Sequence, residues 1–177
     1  MNKQTSTKRL CRAGVISALY IALTYAFMPF AFGPFQIRPA EALCILPLFF
    51  VEAIPALCVG CAVSNLTSPY AVFDILFGTG ATLLSTLGTY LVGRFFKKDG
   101  VKLFVGGIFP VVCNAVIIPF VIVFLCGGAT GYTSTIIAYF TFFCSLFLTQ
   151  SIWVYGLGAP LYFLVKRLRA RKLPLFT

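Results

Sequence analysis

Apolar runs separated by short polar breaks fill almost the whole chain, at about 13–28, 41–51, 53–66, 74–93, 103–126 and 135–165. Of the 177 residues, 60% are hydrophobic and 10% are charged, whereas a soluble domain carries roughly a quarter charged residues. A water-facing surface cannot be assembled from that inventory, so the solvent must be lipid. In lipid the backbone has to satisfy its own hydrogen bonds. The reading is an all-α integral membrane protein, one transmembrane domain over 1–177, and not a soluble enzyme or a nucleic-acid-binding module.

The net charge of +10 is gathered into three clusters that flank apolar runs, which makes it a topology signal rather than a binding surface. A bilayer core of about 30 Å asks for roughly 20 helical residues, so 41–66 could be one span or two short helices. One span gives five helices and sends both the loop carrying Arg94, Lys97, Lys98 and Lys102 and the tail carrying Lys166, Arg167, Arg169, Arg171 and Lys172 outside. Breaking the run at Glu52-Ala-Ile-Pro55 gives six. Both termini are then cytoplasmic, and thirteen of the fourteen basic residues obey the positive-inside rule. The expected helices are about 10–28, 41–51, 53–66, 74–94, 103–126 and 135–166, followed by a basic tail over 166–177. The last run contains Gly156, Gly158 and Pro160 and is expected to tilt, kink or protrude. The expected location is the plasma membrane of a bacterial cell, crossed several times.

Several chemistries are poorly provisioned. There is no histidine, only four acids (Glu41, Glu52, Asp74, Asp99), and no GxxxxGK[ST] phosphate loop. Seven cysteines lie in or beside apolar runs, where a thiol acts as a small hydrophobe. Cys58-Val-Gly-Cys61 spells CxxC without a second pair. No cofactor, metal or catalytic residue is expected.

Arg38 is the one basic residue on the predicted outer side, where a loop enters the second helix. Pro39 suits a first helical turn, Glu41 complements the helix dipole, and Arg38 can pair with it. Asn65 and Asp74 converge on the same side, and the four together suggest a ligand mouth. Asn114 and Gln150 fall about 18–22 Å deeper, at 1.5 Å per residue, near midplane. Polar groups there serve either a site or interhelical hydrogen bonding. Tyr139, Phe143, Leu146, Gln150 and Trp153 recur at three- and four-residue steps. That stripe is either packing or the wall of a flat pocket with hydrogen-bonding groups. Gly14, Ala18, Ala22 and Ala26 place a small residue every four along the first helix, facing either the chain's own bundle or another subunit.

These residues resemble a known pattern, the substrate-binding S component of energy-coupling-factor (ECF) transporters, and within it the QueT family linked to uptake of queuosine precursors. The resemblance covers nearly the whole chain. It rests on Ala18-xxx-Ala22-xxx-Ala26, the run Gly33-Pro-Phe-Gln36-Ile-Arg38-Pro-Ala-Glu41-Ala-Leu43, Asp74-Ile-Leu-Phe-Gly78 with Ala81-Thr82, Asn114 after Pro110, and Gly156-Leu-Gly158-Ala-Pro160-Leu161. It implies a six-helix ECF S-component-like bundle that captures its ligand from outside under a lid-like first loop. The implied partners are an ECF transmembrane coupling subunit and two cytoplasmic ATPases. Arg38 and Glu41 would belong to the lid and mouth, Asp74, Asn114 and Gln150 to the pocket, and Ala18, Ala22 and Ala26 to the docking face. The implied ligand is a queuosine precursor with a deazaguanine base. The family often has glutamate where Gln150 stands, and an amide meets a deazaguanine's N–H pair only in part. Two other readings are an autonomous carrier and an S component for another vitamin or nucleobase.

Overall fold

The computed structural model describes residues 3–31, 36–128 and 130–171. The 33–35 stretch of the family-like run, Gly33-Pro-Phe, and the 172–177 end of the basic tail lie outside the described residues. The chain forms α1 (Lys3–Ala26), α2 (Pro39–Leu48), α3 (Ala53–Asn65), α4 (Ala71–Phe95), α5 (Asp99–Leu125) and α6 (Thr135–Ala170), with one extra turn at Met28–Ala31 after α1. No strand occurs among the described residues. By length and composition, α4, α5 and α6 could each cross a membrane, and α2 and α3 are shorter apolar helices.

The short α2 organises the bundle. It is a 3₁₀ helix of ten residues, far beyond the three or four residues usual for that geometry. Pro39 opens it, where the missing N–H costs nothing, and Pro47 near its end cannot donate. Every residue from Pro39 to Pro47 is buried, and α2 packs against α1, α3, α4, α5 and α6. A tight helix surrounded by others draws its stability from packing more than from its own hydrogen bonds. The chain enters it through Gln36 at φ 40°, a left-handed conformation that a non-glycine residue keeps only when its surroundings hold it.

The turn from α2 into α3 is closed by Phe49 N–H and Phe50 N–H, both donating to Leu46 O at 2.9 and 3.1 Å. Arg12 of α1 pairs with Glu52 in that turn at 2.7 Å and lies over the Phe50 ring at 4.7 Å. Ile16 and Tyr20 of α1, Leu43 and Leu46 of α2, and Leu57 and Cys61 of α3 form the main apolar cluster. Its partners meet because Gly60 has no side chain. A Cβ there would lie 3.0 Å from Tyr20 Cβ and 3.2 Å from Ser17 O. Gly60→Val should therefore push α1 off α3 and cost about 1–3 kcal/mol, the usual range for overpacking. Thermal unfolding in detergent would read it, and an unchanged melting temperature would show that the helices can part freely.

The three longest helices are not uniform. Each contains a π-helical stretch, at Asp74–Gly78 in α4, Val121–Leu125 in α5 and Ile152–Leu157 in α6, and such bulges often mark functional positions. In α6 the stretch overlaps the Gly156, Gly158 and Pro160 run. Pro160 has no N–H to continue the ladder, and a Cβ at Gly158 would sit 3.3 Å from Ala42 O. Glycine there lets the α6 backbone approach α2.

Candidate functional site

An ion pair lies inside this apolar bundle. Arg38 and Glu41 are 6% and 2% exposed, and Arg38 Nε stands 3.8 Å from Glu41 Oε1. The i,i+3 spacing at the start of α2 makes the pair, but neighbouring helices complete it. Tyr20 of α1 donates its hydroxyl to Glu41 Oε1 at 2.8 Å. Asn114 of α5 donates to Oε2 at 3.0 Å, and the Cys44 thiol faces the same oxygen at 3.5 Å. Arg38 donates to the Tyr20 oxygen at 3.3 Å and to Asn65 Oδ1 of α3 at 3.2 Å. A charge in a low-dielectric interior is tolerable only when paired and hydrogen-bonded. Here both charges meet those conditions, through four helices.

The network reaches Asp74 by a different route from a direct side-chain contact. Asn65 Nδ2 donates to the Asp74 backbone carbonyl at 2.7 Å, while the half-buried Asp74 carboxylate accepts from Ser68. Gly78, one turn on, leaves room for this. A Cβ there would be 2.8 Å from Asn65 Nδ2.

Gln150 of α6 is buried, yet its Oε1 has no hydrogen-bond partner among the described residues. An orphaned buried acceptor is costly and marks a position ready for a donor. One turn earlier, Leu146 packs with Ala115 and Ile118 of α5, flanked by Phe143. Tyr139 continues the stripe, its ring stacked on Phe143 at 6.4 Å between centres. The Tyr139 hydroxyl donates to Val116 O at 3.4 Å, and the ring lines a mostly apolar cavity of about 350 Å³ with Phe77 and Phe120. Trp153 is half-buried and meets the Phe27 ring at 6.3 Å.

The structure thus joins Arg38, Glu41, Asn65 and Asn114 directly and Asp74 through its backbone. It sets Tyr139 and Trp153 on separate neighbours. Glu41, expected at the outer mouth, and Asn114, expected near midplane, touch each other because α2 packs against α5 inside the bundle.

Sequence reasoning missed Tyr20, Cys44 and Ser68. Tyr20 was legible in principle: Ile16, Tyr20 and Thr24 recur every four residues and all three are buried, two residues and therefore about 200° around the helix from Ala18 and Ala22. Gly14, Ala18, Ala22 and Ala26 are all exposed, and nothing lies within 4 Å of a Cβ built on Gly14. No group of three or more potential metal ligands occurs among the described residues.

Long apolar helices around a core that holds a hydrogen-bonded ion pair define a helical membrane protein with a polar interior. The sequence profile of the QueT transporter family matches residues 10–167, and the chain belongs to that family. Membership makes it a membrane transport component. Neither a curated protein nor a solved structure matches the chain.

Proposed function

We propose that this protein is the substrate-capturing subunit of an ECF-type transporter and takes up a queuosine precursor with a deazaguanine base. The observation that carries the reading is the Glu41 carboxylate, buried and met by donors from α1, α2 and α5. A carboxylate accepts at both oxygens, which matches the paired N–H groups on the edge of a guanine-like ring. A ligand with those donors replaces Tyr20 and Asn114 at Glu41, so the carboxylate keeps its hydrogen bonds through the exchange. That keeps the net cost of burying a polar ring small. The freed Asn114 amide and the unpartnered Gln150 carbonyl then serve the remaining edge.

The proposed topology has six membrane crossings with both termini in the cytoplasm. Its support is the clustering of Arg9, Arg12, Arg94, Lys102, Lys166 and Arg169 around two adjoining cavities at one end of the bundle, as the positive-inside rule requires of a cytoplasmic face. The exposed Gly14, Ala18, Ala22 and Ala26 strip fits a docking face for the coupling subunit, with two ATPases supplying the energy that this chain has no phosphate loop to harvest.

Detergent-purified protein should bind deazaguanine bases saturably, and Glu41→Gln should weaken that binding tenfold or more, about the value of a charge-assisted hydrogen bond. Saturable binding of a different vitamin or nucleobase alone would show the ligand to be wrong. Equal affinity in Glu41→Gln would place the site elsewhere.

A further inference from the structure

A cavity of about 290 Å³ opens where the start of α1, the turn after α2, the end of α4 and the end of α6 meet. Its charged lining is Arg9, Arg12, Arg94 and Arg169 against the single carboxylate of Glu52. Four guanidinium groups less one carboxylate leave a net charge of +3 around a space the size of a small anion's hydration shell. Arg12 and Glu52 neutralise each other at 2.7 Å with side chains only 11% and 12% exposed, so this pair is the floor. The other three arginines appear in none of the ion pairs among the described residues.

Two of those three, Arg94 and Arg169, are steadied by contacts with the fold although their side chains reach the surface. Arg169 donates to Phe49 O at 3.5 Å and lies over the Phe49 and Phe50 rings at 5.9 and 5.7 Å. Arg94 lies 5.9 Å from the Tyr90 ring centre. Gly93 brings it there, since a Cβ at that position would stand 3.0 Å from Leu48 O and 3.1 Å from Leu48 Cα. Only a glycine lets α4 close this far onto the turn.

We propose that this cavity binds the phosphate group of an anionic phospholipid. The planar guanidinium fork matches phosphate oxygens two at a time, and basic pockets between membrane helices recognise acidic headgroups. A free phosphate has no use for apolar neighbours. Here two of the three unpaired arginines on the rim are followed in sequence by outward apolar side chains, Leu10 after Arg9 and Phe95 after Arg94, 74% and 78% exposed, positioned to meet acyl chains. The site is remote from Glu41 in function and does not depend on which substrate is captured.

The test is native mass spectrometry of the detergent-purified full chain titrated with phosphatidylglycerol, phosphatidylcholine or inorganic phosphate. The expected result is a saturable phosphatidylglycerol adduct, absent with phosphatidylcholine, that Arg94→Gln/Arg169→Gln weakens about 30-fold. Lys97→Gln/Lys98→Gln removes the same charge beside α4 but outside the cavity and should leave the adduct intact. Circular dichroism checks that each variant is folded, and Arg12 is left alone because Glu52 needs it. Equal weakening by the lysine pair would reduce the effect to net charge and overturn the site. So would an adduct unaffected by the arginine pair, or equal retention of phosphatidylcholine. Displacement of the lipid by millimolar inorganic phosphate would overturn the lipid as occupant.

Discussion

Glu41→Ala is expected to abolish ligand binding and to destabilise the folded bundle by about 3–5 kcal/mol, the range for removing one partner of a buried ion pair. The loss has three parts. Arg38, 6% exposed, keeps its charge without the carboxylate. Tyr20 and Asn114 lose the acceptor that they reach at 2.8 and 3.0 Å. A cavity opens in the centre of α2, which every other helix touches. Thermal unfolding in detergent should fall by roughly 10 °C or more. Glu41→Gln keeps the volume and one acceptor, so it should fold better than the alanine variant while still binding ligand poorly. Should Glu41→Ala melt with the wild type, the network is decoration on a bundle held by apolar packing alone, and neither role survives.

The second large effect belongs to the opposite face of α1. Under the proposed ECF assembly, Ala18→Trp is expected to abolish ATP-driven uptake while leaving ligand affinity and melting temperature unchanged. Ala18 is exposed, as are Gly14, Ala22 and Ala26, whereas Ile16, Tyr20 and Thr24 face inward. An indole at Ala18 therefore meets no side chain of its own bundle, but it would hold a second helix away from a strip that permits close backbone approach. Uptake in proteoliposomes with the coupling subunit and ATPases, set beside binding to the isolated subunit, separates the two effects. Parallel loss of binding and uptake would make the strip internal to this chain's folding, and normal uptake would remove it from any interface.

The two experiments probe two sides of one helix. Tyr20 ties α1 to Glu41, and Ala18 lies about 200° around the same helix. A ligand that takes the Glu41 oxygens from Tyr20 therefore alters a contact of the helix that carries the proposed docking strip. The Gly60 contact with Tyr20 Cβ keeps α1 close enough for this to matter, which is why Gly60→Val bears on the site as well as on stability.

The apolar inventory and its periodic breaks determined a helical membrane protein, because lipid leaves the backbone few alternatives to helices. The motifs around Arg38, Asp74 and Gly156 carried the family, and that reading needed no coordinates. Arg38 and Glu41 were also readable as a pair, since an i,i+3 contact is local. What the linear chain could not express is the depth of α2. Nothing in Pro39–Leu48 announces a 3₁₀ helix enclosed by five others, because that geometry is set by the side chains packed around it and not by its own propensity. The meeting of Tyr20, Glu41, Asn65 and Asn114 and the gathering of Arg12, Arg94 and Arg169 share this origin. Both join residues far apart in sequence, and such contacts exist only once helix packing has fixed which faces meet.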